Sequence, residues 1–263
     1  MQTTISPTPL QQARPYPWKD WLKTFVLLGL GVYMAVLIIT GSINNYMNQR
    51  FQWLVVLAAL LFLLLGAWCA YRLWRPQPQH HFLDDNLSIS HEGHAHTQLS
   101  WGALFVALIP LAFAVLLPSR PLGAEAITSG LSLSTVGVAD ASSASRAPID
   151  RNILDWLREF NRVGVPATFN GAEADLVGFI YREPFMAQDQ FMVARFTVSC
   201  CVADAFAIGI PVQAADASQY PTGEWVRVRG TFMAGRFGED QMPVLRPTTI
   251  EKTDMPASPY LYP

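Results

Sequence analysis

Residues 51–71 read FQWLVVLAALLFLLLGAWCAY, a run without one charged side chain. A bilayer's hydrocarbon core takes about 20 apolar residues as a helix, and this run has that length. A helix of comparable length in a soluble core keeps a polar stripe. The run has none, so it is expected to span a membrane. Working outward, residues 21–43 (WLKTFVLLGLGVYMAVLIITGSI) carry a single charge, Lys23, near their start. Residues 99–117 (LSWGALFVALIPLAFAVLL) form a third such run. It includes Pro110, which a membrane helix tolerates when neighbours satisfy the freed carbonyl. Trp18, Trp21, Trp53, Trp74 and Trp101 sit near the ends of the runs, as interfacial aromatics do. The first run is too long for a cleaved signal peptide and lacks a small-residue cleavage site.

Three spans are therefore expected within 18–117, after a polar, proline-bearing disordered tail at 1–17. Only 14% of the chain is charged, well below the roughly 25% of soluble domains. Lys and Arg bias the loops toward the cytoplasm. The N-terminal flank holds Arg14, Lys19 and Lys23, the first loop only Arg50, and the second loop begins with Arg72 and Arg75. The N-terminus is thus expected inside, and everything after Leu117 outside.

Residues 118–149 include the Ser-rich stretch SGLSLSTVGVADASSASRAP, the composition of a flexible linker. From Asp150 the pattern changes. Ile153, Leu154, Trp156, Leu157 and Phe160 mark one face of a short helix, with Asp150 as its expected N-cap. Five β-rich runs follow, at 174–183, 190–202, 205–212, 223–233 and 242–253. In the fourth, Val226 and Val228 share one face, and Trp225, Arg227 and Arg229 the other. Five short strands suit a small OB-like barrel over 150–263, with QAADAS (213–218) as a short helix between the third and fourth strands. The fold class is membrane α plus β: three transmembrane helices, then an OB-like β-barrel.

The segments GFIYRE, FMVARFTVSCCVADAFAIGIPV, WVRVRGTF and MPASPYLYP, together with a His-bearing segment between spans, resemble the bacterial YcgQ-type family. Its members are described as subunits of a two-component permease. The resemblance implies a polytopic membrane permease as partner, location in the bacterial cytoplasmic membrane, and a role in metal-ion handling.

All five histidines, His80, His81, His91, His94 and His96, lie in the loop 75–98, interleaved with Asp84, Asp85 and Glu92. Imidazole is the commonest metal ligand, so a transition-metal ion such as zinc is the expected cofactor there. A solvated loop or a pH sensor would use the same residues. The spacing H-E-G-H is not the H-E-x-x-H of metalloproteases. Two of the three cysteines are neighbours, Cys200 and Cys201, with Asp204 close by. In a strand their side chains would diverge to opposite faces. Packing, redox chemistry and metal binding (copper(I) with two thiolates included) all remain open for them.

P-loop, nucleophile-elbow and dinucleotide fingerprints are absent, and Ser199 has no histidine after His96 to act as a base, so no enzyme is expected. From Asp150 onward ten Lys or Arg face fourteen Asp or Glu. A nucleic-acid surface is normally basic, so none is expected; the partners are membrane lipid and a permease. The sequence points to an accessory or binding subunit of a membrane permease, handling a divalent or soft metal cation. The alternative is an extracytoplasmic thiol redox or assembly factor using Cys200 and Cys201.

Overall fold

A computed structural model of the chain describes residues 18–75, scattered positions between 102 and 117, and residues 119–127 and 146–263. It divides into two compact units. One comprises Met1–Ile38 and Leu54–Pro118, the other Ile39–Trp53 and Ser119–Pro263.

The first unit contains α1 (Trp18–Ile39) and α2 (Gln52–Trp74). Both are long and apolar enough to cross a membrane. Two glycines let them approach reciprocally. A Cβ on Gly31 would come within 2.8 Å of Leu63 Cδ2, and one on Gly66 within 2.7 Å of Leu28 Cδ2. Small residues at such crossings are how helices pack when water supplies no driving force between them. Val26 and Ala59 are buried, whereas Leu61, Leu64 and Trp68 stand exposed. In the third apolar run, the described positions Gly102, Val106, Leu108, Ile109, Ala112, Phe113 and Leu116 are helical.

The second unit is a five-stranded β-barrel: β1 (Glu173–Tyr181), β2 (Gln190–Thr197), β3 (Phe206–Gln213), β4 (Trp225–Phe237) and β5 (Asp240–Lys252). The order β1-β4-β5-β3-β2 is closed by a β1–β2 pairing. Every pairing is antiparallel except β3 with β5. This is the five-stranded Greek-key arrangement of OB-like barrels. Val226 and Val228 point inward, fully buried, as their alternation predicts. Register slips between Arg229 and Gly230, and a Cβ at Gly230 would strike the Arg246 carbonyl. Only glycine fits this close approach.

Helix α3 (Ile153–Val163) precedes β1 and adds Ile153, Leu154, Trp156, Leu157 and Phe160 to the barrel core. Trp156 lies 4.7 Å from Phe232, ring to ring, and Phe160 lies 4.8 Å from Phe169. The expected cap at Asp150 is corrected. Asp150 ends a 3-10 turn, Pro148–Asp150, and Asn152 caps the helix through a capping box with Asp155. Asn152 Oδ1 accepts from the Asp155 amide at 3.0 Å, and Asp155 Oδ2 also takes Arg146 at 2.6 Å. The reciprocal bond needs an acceptor three residues into the helix, which Asp155 supplies. The helix expected over 213–218 is also absent. That connection holds only a 3-10 turn, Ala217–Gln219, with Ala214 and Ala217 packed in the barrel core beside α3.

β2 is buried on both faces. Its outer side packs in a second cluster formed by Phe179, Ala194, Phe196, Val198, Ala124 and Tyr260. Two segments supply the cover. β6 (Tyr260–Leu261) pairs parallel with β2, and a 3-10 turn at Ala124–Ala126 comes from the start of the stretch read as linker. Arg195 on β2 is 8% exposed. Its Nη2 donates to Ser258 O at 2.5 Å and its Nε to Pro259 O at 3.2 Å, and the guanidinium lies 5.5 Å from the Trp225 ring. Burial pushes the guanidinium down to about 10, so it remains charged at neutral pH and clasps the last strand.

Candidate functional site

β2 is predicted to run on to Val202, carrying both cysteines. It stops at Thr197, where its pairing with β3 ends opposite Phe206; Val198 N still donates to Leu261 O at 3.0 Å, and the chain then bends through Ser199 and Cys200. A 3-10 turn, Val202–Asp204, follows. The expectation that the thiols diverge across a strand is therefore corrected: Cys200 Sγ and Cys201 Sγ lie 3.8 Å apart. Both are free cysteines. Among the described residues, Cys200, Cys201 and Asp204 form a group whose ligand atoms all lie within 4.8 Å of one another.

Asp204 organises the turn. Its Oδ1 accepts from Ser199 N at 2.8 Å, and its Oδ2 from Cys200 N at 2.7 Å and from Cys201 N at 3.4 Å. A carboxylate thus fills a backbone nest that would otherwise attract an anion. Burial works to raise the Asp204 carboxyl. The Cys200 thiol and the three amides outweigh it and hold the group below its ordinary value. The same contact acts oppositely on the sulfur. The Asp204 carboxylate, then the Cys201 thiol, push Cys200 up to about 11, because a nearby negative charge disfavours the thiolate.

The other wall is the loop between α1 and α2. Met47 pairs with Cys201 in an isolated antiparallel bridge. Asn48 N donates to Cys200 O at 3.1 Å, and Val202 N to Tyr46 O at 2.9 Å. Asn48 is buried; its Nδ2 donates to Ser199 O at 2.9 Å and its Oδ1 accepts from Arg50 N at 3.0 Å. Nearby, the Tyr260 hydroxyl accepts from Leu122 N at 3.0 Å and donates to Asn45 O at 3.1 Å. Met47, Asn48 and Tyr260 were not legible as site residues, since their partners lie far away in sequence.

Chemically, the turn offers two adjacent sulfurs, with Cys200 exposed and Cys201 half-buried. The Asp204 oxygens already bind three amides, so that carboxylate serves the fold of the turn. His80, His81, His91, His94 and His96 lie outside the described residues. Arg227 and Arg229, on the outer face of β4, are well exposed and grip Asp175. Arg227 reaches both carboxylate oxygens, at 2.7 and 2.6 Å, and Arg229 Nε reaches Oδ2 at 3.0 Å. Arg227 holds the Asp175 carboxyl below its ordinary value, against burial. This is a cross-strand clamp between β1 and β4.

Comparison with known proteins gives two family matches, the DUF1980 N-terminal domain over residues 22–130 and the DUF1980 C-terminal domain over residues 149–263. UPF0703 protein YcgQ of Bacillus subtilis is 22% identical over 91% of this chain and 98% of its own length. A Streptococcus mutans protein, whose provisional name makes it a subunit of a two-component membrane permease complex, is 30% identical over 37% of this chain and 36% of its own length.

Proposed function

Because the chain belongs to the DUF1980 family, we propose that it is an accessory subunit of a membrane permease complex, handling a divalent or soft metal cation. The name of the streptococcal relative supports the permease part. The observation that carries the cation part is the pair of adjacent thiols, Cys200 and Cys201, with sulfurs 3.8 Å apart in a turn held against the loop that joins two apolar helices.

Chain connectivity supports the membrane arrangement. The loop between α1 and α2 is hydrogen-bonded to the barrel, so the two share one side of the membrane. The chain leaves that side in α2 and must return before Ser119. Residues 99–117 are the apolar run between those points, and they serve as the third span. The cationic N-terminal flank then lies inside and the barrel outside. In this arrangement the His80–His96 loop sits on the cytoplasmic face, where its imidazoles collect or sense the ion.

The thiol redox alternative has the 3.8 Å sulfur separation in its favour. Disulfide exchange and metal ligation both use the thiolate, which the Asp204 carboxylate disfavours at Cys200, so experiment separates the two readings. Cation binding is the reading we retain. It is tested by purifying the full-length chain from its native membrane and measuring bound metal and co-purified polytopic proteins. Metal that disappears in a C200S/C201S variant, with a permease retained, is the expected result. A preparation with neither metal nor permease defeats the proposal. An impermeant maleimide that reaches Cys200 only after permeabilisation would reverse the assigned orientation.

A further inference from the structure

We propose that Met47 supplies a third sulfur beside Cys200 and Cys201, making this turn a site for a monovalent soft cation of the copper(I) class. The inference rests on the cation reading above and narrows it to one ligand set and one ion class.

The bridge geometry comes first. Met47 and Cys201 are paired, and the flanking bonds run from Asn48 N to Cys200 O and from Val202 N to Tyr46 O. Bonds placed on the neighbours of a pair, not between its members, define the non-hydrogen-bonded kind of antiparallel pair. Side chains of such a pair stand on the same face, with Cβ atoms about 4.5–5.5 Å apart. The Met47 thioether therefore shares a face with the Cys201 thiol, whose sulfur is 3.8 Å from that of Cys200. The bridge thus puts Met47 and Cys201 on one face, from two chain segments.

Among the described residues, Met47 is half-buried and is not part of the barrel's two apolar clusters. Asn48 fixes the loop beside it through both its backbone and its side chain.

The donor set then selects the ion. Asp204 is engaged by the amides of Ser199, Cys200 and Cys201, and the chain has no histidine after His96. What remains is sulfur alone, thioether included, at low coordination number. Thiolate and thioether ligands select copper(I). Zinc in protein sites takes three or four Cys, His or carboxylate ligands, and beyond the two thiols the turn offers only the engaged Asp204. Binding is coordination without electron transfer: the ion enters already monovalent, and each coordinating thiol releases its proton to solvent.

The test uses the full-length chain in detergent, without oxygen, with silver(I) and copper(I) as probes against a competing chelator. Wild type is expected to bind one ion more than a C200S/C201S variant does. M47L, which keeps size and apolarity, should weaken binding by about tenfold or more, and sulfur coordination by X-ray absorption should fall from three to two. On wild type itself, the Met47 methyl resonance, assigned by its loss in M47L, should shift when silver(I) is added. A methyl that stays put while silver(I) binds, or an M47L affinity equal to wild type, removes Met47 from the site and leaves the cation reading standing. Zinc binding at the turn more tightly than silver(I) overturns the ion class. Failure of wild type to bind any of the three ions sinks the cation reading at this turn, and this inference with it.

Discussion

The helix hairpin and the barrel are built on opposite rules. In α1 and α2 the large apolar side chains, Leu61, Leu64 and Trp68 among them, face outward, and glycines mark the inner contact. In the barrel the large side chains fill the centre, Trp156 and Phe232 at its heart, while Arg227 and Arg229 lie outside. Each pattern follows from its solvent. Lipid gives no advantage to hiding a leucine, so close backbone approach decides helix packing. Water does, at roughly 25 cal/mol per Å² of apolar surface, so burial decides the barrel.

The contrast can be broken at named residues. Trp156→Ala should cost the barrel about 3–5 kcal/mol, read as a lower midpoint in denaturant. Its counterpart on α2, Leu61→Ala, comes last in the series, with a shift within about 0.5 kcal/mol for an outward position. Equal losses at the two sites would erase the distinction. Next in size is Arg195→Leu, which leaves the Ser258 and Pro259 carbonyls without their charged donor. The expected cost is about 2–3 kcal/mol, with faster hydrogen exchange at the Val198 amide as β6 detaches.

Between these extremes lies the join of loop and barrel. Asp204→Asn removes the main cause of the elevated Cys200 thiol. In the metal-free protein the alkylation profile should move to lower pH, because loss of the negative charge favours the thiolate. The rate at pH 8 should rise, since more of the sulfur is then thiolate. An unchanged profile would mean that the carboxylate does not govern the sulfur. Asn48→Ala should cost about 1 kcal/mol and expose the Val202 amide to exchange, with the barrel's midpoint otherwise close to wild type.

The strands were legible because alternation is local: Val226 and Val228 against Arg227 and Arg229 give the inward face directly. So were the two apolar helices, from length alone. The vicinal cysteines are visible as residue types, but their geometry is not. β2 ends at Thr197 where its pairing with β3 runs out at Phe206, and no local pattern announces that register. The cap at Asn152 is hidden for a smaller reason, since Asp150 is an equally good capping residue and only the bond to Asp155 separates them. Met47 and Asn48 lay furthest from view. Nothing in SINNYMNQR marks a strand partner for a turn some 150 residues away.

The Met47–Cys201 bridge also bears on how the chain is made. Its two halves lie on either side of α2 in sequence, so it forms only after the turn that follows β2 has been synthesised, and the loop between α1 and α2 must wait for its partner.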